Sequence, residues 1–229
     1  LCGHTPAYYE EFYNRYGFFK ARPDNIAFEF DITESKATDR LAKLAARVLR
    51  SGNITLRHAN FDDWRNEIRR IHKVIDTSLD AIVENHIPWH PAQLEATLLP
   101  FKDIADPELI ILAEVDGEVV GWLPGIPNLN EALIKANGLR YPWNYFQLLW
   151  HMRKQTDCLA VKAVGVLPEY WNTGVAVAMF DELFRRAKQK GYQWADLSIT
   201  AEDNPQTPKL AEAVGAKVYK KWRTYRLNI

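Results

Sequence analysis

Val164-Gly165-Val166-Leu167-Pro168-Glu169-Tyr170-Trp171-Asn172-Thr173-Gly174-Val175-Ala176 is the stretch on which the fold turns. Residues 159–166 are small and β-branched and read as a strand. Residues 168–174, opened by proline and closed by glycine, read as a loop. Val177, Phe180, Leu183, Phe184 and Ala187 recur at helical spacing, so 175–190 reads as a helix that Gly191 ends. A loop that delivers Gly174 and the small Ala176 into a helix start leaves several backbone N–H groups unpaired. The helix dipole favours an anion at the same place. Gly174 lets a phosphate approach the backbone, and the Thr173 hydroxyl offers one more donor. A plain strand-to-helix turn is an equally open reading of these residues alone. The Gly-Lys-Ser/Thr of a Walker loop and the three-glycine spacing of a dinucleotide fingerprint are both missing.

Working outward, 194–200 reads as a strand, 208–214 as a helix stopped by Gly215, and 217–227 as a strand or bent strand pair. Upstream, apolar strands at 109–115 and 119–123 flank Asp116-Gly117, a strong hairpin turn. Two helices, 128–137 and 143–153, follow the hairpin. A short strand at 54–57 and a helix after Asn60, with Trp64, Ile68, Ile71, Val74 and Ile75 inward, open this body. Before it, 6–32 reads helix, turn, strand. Tyr8, Tyr9, Phe12, Tyr13 and Tyr16 sit at helical spacings before Gly17, and Ile26, Phe28 and Phe30 alternate with polar or small residues. Residues 33–52 read as a linking helix. The order of 6–32 returns at 205–229, with Gly17 opposite Gly215 and Asp31-Ile32 opposite Asn228-Ile229. Either this is a chance match of a common pattern, or residues 1–32 are the tail of an earlier copy of the same fold.

Composition bounds the function classes. A chain of 229 residues makes one domain, or one plus a fragment. It is 47% hydrophobic and 25% charged, which excludes disorder. Lys+Arg and Asp+Glu are 29 each, so a chain-wide attraction to DNA, RNA or anionic lipid is excluded, though a local patch is not. Cys2 and Cys158 form no disulfide framework and no metal-ligand spacing, which fits a reduced cytoplasm. No apolar run approaches the ~18 residues of a membrane span, and no signal peptide is visible. Leu1 is not methionine, which points to a processed product, a cloned piece or a partial gene.

The order of elements resembles the GNAT superfamily of N-acyltransferases. The segment 164–176 is similar to that family's acyl-CoA motif, Gln/Arg-x-x-Gly-x-Gly/Ala, with Trp171, Gly174 and Ala176 in those places. Glu202-Asp203-Asn204 and the helix to Val214-Gly215-Ala216 resemble the motif that follows. The resemblance covers roughly 53–229. Pro127 to Leu133 and the aromatic insert from Tyr141 to Trp150 further resemble a bacterial group of tandem GNAT proteins of unassigned acceptor, in which a degenerate first unit precedes. The implied fold class is α/β (α+β). It is a mixed, mostly antiparallel sheet flanked by helices, with a parallel splay between 159–166 and 194–200. The domains expected are a helix–strand–helix extension at 1–52 and an acyltransferase domain at 53–229. Phe28 and Phe30 need cover, from the sheet or from a second copy of the chain, which would make a homodimer.

The resemblance implies an acyl-CoA co-substrate, acetyl-CoA first, and direct transfer to a small amine. The pyrophosphate would lie on the amides of Trp171, Asn172, Thr173, Gly174, Val175 and Ala176. The pantetheine arm would pair with the backbone of Val164, Gly165 and Val166, and Asn204 would order the cofactor or its water. Neither nucleic acid nor a membrane is expected as a partner. This sequence departs from the family at three places. Trp171 replaces a polar donor, Ala211 stands where a general-acid tyrosine is frequent (Tyr13 holds the equivalent place before Gly17), and 159–166 carries Lys162 but no carboxylate. A degenerate CoA-binding or interaction module is therefore the alternative. His86 and His90 are candidates to line an acceptor pocket and relay protons, against a reading as loop residues in solvent; they lack a third partner for zinc. Asp203 lies just past a strand end, as a substrate contact or as a helix cap. Lys217, Lys220, Lys221, Arg223 and Arg226 make a locally basic tail, either a solvated face or an attraction for phosphates or an acidic acceptor.

Overall fold

The computed structural model describes residues 5–51, 53–82, 86–152, 156–204 and 206–228. In chain order the elements are α1 (Tyr8–Arg15), β1 (Phe19–Lys20), β2 (Asn25–Asp31), α2 (Ser35–Ser51), β3 (Ile54–His58) and α3 (Trp64–Asp80). Then come α4 (Pro91–Leu98), β4 (Ile110–Val115), β5 (Glu118–Pro127), α5 (Asn130–Lys135), α6 (Pro142–Met152) and β6 (Cys158–Val161). The chain closes with β7 (Gly165–Val166), α7 (Val175–Gln189), β8 (Trp194–Ala201), α8 (Thr207–Val214), β9 (Lys217–Trp222) and β10 (Tyr225–Arg226).

The main sheet runs β3-β4-β5-β6-β8-β2-β9, with β7 added against β5. All of its pairings are antiparallel except β6 with β8. The β4–β5 hairpin turns on Asp116 (φ 51°) and Gly117 (φ 82°), the left-handed pair that a two-residue turn needs to match strand twist. β4 is apolar on both faces, with Ile110 to Ala113 all buried, because helices cover both sides of it. α7 lies on one face, with Val175, Met179, Leu183, Phe184 and Ala187 in the core, and α2 packs beside it. α3 covers the other face at β5 and β7.

Two features depart from a linear reading. The stretch 159–166 is not one strand. It breaks after Val161 into β6 and β7, with residues 162–164 outside any ladder. β2, from the N-terminal segment, lies inside the main sheet between β8 and β9. Its Phe28 and Phe30 are buried, and Phe30 stacks on Phe184 of α7 with ring centroids 4.4 Å apart. β10 pairs with β1 in a separate two-stranded ribbon. α1 buries none of its residues. Arg223 ties this corner together, with two bonds to the buried Asp24 (3.1 and 3.0 Å) and one to Glu10 (2.6 Å).

Candidate acyl-transfer site

β6 and β8 run side by side in parallel only from Cys158↔Trp194 to Val161↔Leu197. Beyond that β8 continues to Ala201 on β2, while the other strand veers to β5 through Gly121↔Val166 and Trp122↔Gly165. The result is a fork between 162–166 and the end of β8. The Thr200 hydroxyl on β8 beyond the fork, and the Trp122 indole N–H on β5 behind β7, are buried with no hydrogen-bond partner among the described residues. Each such orphan costs about 1–3 kcal/mol, which a bound molecule would recover.

At the mouth of the fork α7 begins. Its first intrahelical bond is Ala178 N–H to Gly174 O, at 3.0 Å. The N–H groups of Val175, Ala176 and Val177 therefore precede the ladder and lie at the positive end of a helix of 15 residues. Ala176 and Val177 are half-buried and their amides are donors fit for a diphosphate, whereas Val175 is fully buried. The preceding turn is less generous than the sequence suggests. Trp171 N–H goes to Pro168 O, and both Thr173 N–H and Thr173 Oγ1 go to Tyr170 O, the hydroxyl at 2.7 Å. The Thr173 hydroxyl has one proton and has spent it, so the expected extra donor is corrected. Gly174 sits at φ 86°, and a Cβ there would fall 2.4 Å from Val48 Cγ2 of α2. Close helix packing, more than phosphate approach, demands this glycine.

Other expected residues also have local duties. The Val166 carbonyl accepts from the Trp171 indole (2.7 Å) and from Ser78 Oγ (2.9 Å), which fills both of its lone pairs. Asn204 Oδ1 caps α8, accepting from Gln206 N (2.9 Å) and Thr207 N (3.1 Å); the cap is Asn204, not Asp203, which is exposed. His90 Nδ1 accepts from Ala92 N at the start of α4 (3.3 Å). His86 is half-buried, its Nε2 3.5 Å from Asp76 Oδ1 of α3. Val164 lies in the break between β6 and β7.

The sequence reading missed the carboxylate. Asp196 stands on β8 opposite Ala160, one residue below the fork, and is 7% exposed. Its Oδ2 accepts from Lys162 Nζ at 2.5 Å, while its Oδ1 is buried with no hydrogen-bond partner among the described residues. Burial, and then contact with this carboxylate, holds the Tyr219 phenol above its ordinary range. Asp196 and Lys162 open into a cavity of about 880 Å³ that Tyr13, Asn130, Lys220 and Trp222 also line. Neither His86 nor His90 lines it. The signal was present in the alternation of 194–200, where inward Ala195 leaves Asp196 on the other face. Cys158 is fully buried, and burial pushes its thiol up to about 12, so no thiolate nucleophile stands here.

A family model described as acetyltransferase (GNAT) family matches residues 64–216. The chain belongs to this family. Among proteins with assigned names it is 25% identical, over 236 residues, to a bacterial ceramide synthase of Caulobacter vibrioides, covering 98% of this chain. The chain spans 59% of that relative's length. A GCN5-related N-acetyltransferase of Sphaerobacter thermophilus shares the fold, with a TM-score of 0.63 and 13% identity over 96% of this chain and 56% of the other. A tandem GNAT protein from the clavulanic acid biosynthesis pathway does so too, with a TM-score of 0.56 and 10% identity over 98% of this chain and 59% of that one. The mixed sheet and its parallel fork are those of this fold.

Proposed function

We propose that the chain is an acyl-CoA-dependent N-acyltransferase that passes the acyl group directly to an amine. The observation that carries this is the fork between β6 and β8, with the amides of Ala176 and Val177, unpaired among the described residues, opening α7 beside it and the Lys162–Asp196 pair at its base. In this reading the amides hold the diphosphate, and the backbone at 163–164 and β8 holds the thioester arm. The acceptor amine enters the cavity over Asp196. Oδ1 receives its ammonium and takes one proton, since only the neutral amine attacks. The amine lone pair forms the C–N bond, the C–S bond breaks, and the nitrogen's second proton passes to the leaving thiolate, which departs as the thiol and leaves a neutral amide. Holding both reactants in one groove supplies most of the acceleration. The relative named ceramide synthase supports an amine acceptor, because a ceramide is an amide.

A degenerate acyl-CoA-binding module is the second reading, and one observation favours it. The Val166 carbonyl, a partner expected for the pantetheine arm, is already filled. Incubation with acetyl-CoA and with long-chain acyl-CoA, each against short and long-chain amines, separates the two. Thiol release that requires both reactants, with the amide product detected by mass, supports the transferase. Binding without release for any amine supports the module and overturns the proposal.

We also read residues 1–52 as the tail of a preceding unit of the same fold joined to the 53–229 domain. Aligning Gly17 with Gly215 places Phe12 and Tyr16 opposite Leu210 and Val214. Val214 is buried at 1% exposed, whereas Phe12 is 46% and Tyr16 76% exposed. A preceding unit of the fold would cover them. Limited proteolysis of a longer chain and of this one tests this. Protection of α1 only in the longer chain is expected, and equal cleavage in both would contradict it.

A further inference from the structure

We propose that the α5–α6 insert docks the protein on an anionic lipid surface, beside the mouth of the acceptor cavity. The helix α6 is inside out. Asn144 is 2% exposed, accepting from Tyr141 N–H and donating to Gln147, and Leu148 and His151 share its half-buried side. Trp143 (57% exposed), Phe146 (74%) and Trp150 (63%) follow one another at i, i+3 and i+7 on the outer side, flanked by Tyr145 and Leu149. Ile134 of α5 adds to this surface at 80% exposed. An apolar stripe is normally turned to a core, so one turned outward implies a partner.

Charge selects that partner. Between Ala132 and Lys154 the sequence holds Lys135, Arg140, Arg153 and Lys154 and no Asp or Glu. Glu131, just before, is spent on the backbone N–H groups of Asp157 and Cys158 at 2.9 and 3.0 Å. A chain that is neutral overall thus carries Lys135 and Arg140, and no acid, beside one exposed apolar stripe, with Arg153 and Lys154 next in sequence and outside the described residues. Trp and Tyr suit the headgroup level of a bilayer, Phe and Leu its acyl boundary, and Lys and Arg its anionic phosphates. No helix among the described residues is long and apolar enough to cross a membrane, so this element lies on the surface. The expectation of no membrane partner rested on overall charge and on the lack of a span, neither of which bears on a local patch. Asn130, the first residue of α5, lines the cavity over Asp196, so the docked face adjoins the acceptor entrance. Resting on the transferase reading, this makes the acceptor a lipid amine drawn from the bilayer.

Sedimentation with vesicles tests docking without any acyl-CoA present. Vesicles of phosphatidylcholine alone are compared with an equal mixture of phosphatidylcholine and phosphatidylglycerol, for the wild-type chain and for the Phe146→Ser/Leu149→Ser variant. Both replaced side chains are exposed, so the variant keeps its circular dichroism and melting temperature. The expected result is binding to the mixed vesicles that weakens with salt and falls about tenfold or more in the variant. Failure of the wild type to bind mixed vesicles, or equal binding by the variant, overturns the proposal. So does a wild-type dimer that the variant turns into a monomer with no vesicle binding, because the stripe is then a protein interface. Acyl-CoA affinity measured without vesicles keeps the two readings apart. Vesicle binding without acyl-CoA binding sustains docking and removes the transferase.

Discussion

Gly174→Ala should destabilise the protein through two separable costs. The residue sits at φ 86°, where an L side chain costs about 1–2 kcal/mol. The new methyl would lie 2.4 Å from Val48 Cγ2 and 3.3 Å from Val48 Cγ1, on a helix packed against α7. Overpacking of that kind costs about 1–3 kcal/mol. The sum is about 2–5 kcal/mol, a large share of a domain's stability. Val48→Ala alone should cost about 1 kcal/mol, because Val48 is only half-buried. Combining the two relieves the packing cost and leaves the backbone cost, so the pair should be non-additive by about 1–3 kcal/mol. Urea unfolding of the four proteins, with a common slope, measures each quantity. A loss under about 1 kcal/mol for Gly174→Ala, or an additive pair, would refute the argument that α2 closes on this turn.

Asp196→Asn keeps the shape but removes the charge and the proton acceptor; transfer should fall about a hundredfold or more with acyl-CoA affinity unchanged, as read by kcat and by titration. Equal loss in both would make Asp196 a structural residue. The Arg223 guanidinium beside Asp24 holds its carboxyl below the ordinary carboxylate range against burial. That pair therefore contributes fully above about pH 4 and is lost as pH falls through the lower folded value. Acid melts should show it, and Asp24→Asn should be less stable at neutral pH and flatter toward acid. A variant with the wild-type acid profile would contradict this. Cys158 should resist iodoacetamide in the folded state at mildly alkaline pH, read by peptide mapping, because burial keeps it a thiol. Rapid alkylation without unfolding would place it elsewhere.

Much of the fold was legible because it is local. Asp116-Gly117 dictates its own turn, and α7 carries a helical stripe ended by Gly191, so both follow from neighbours in sequence. The parallel fork followed from family likeness and not from spacing. What stayed hidden is non-local. Alternation in 26–30 identifies β2 as a strand but not its berth between β8 and β9, which depends on partners roughly 170 residues further along. The break at 162–164 is likewise set by which neighbour each half prefers. At the site, residue type suggested ligands where the structure finds local bonds. Thr173 turns its proton to Tyr170, and Asn204 caps α8. Asp196 was passed over because the search for a carboxylate stayed on one strand of the pair. In α6 the sequence marks a helix at 143–153 but not which of its faces turns outward, because that depends on what packs beside it.

The central claim is that the amides opening α7 hold the diphosphate of an acyl-CoA. Amide nitrogen–proton spectra recorded while CoA is added, with pantetheine as the control lacking the diphosphate, test it residue by residue. The account predicts that Ala176 and Val177 move most with CoA and stay nearly still with pantetheine. Unmoved signals there at saturating CoA, or equal shifts with pantetheine, would contradict it.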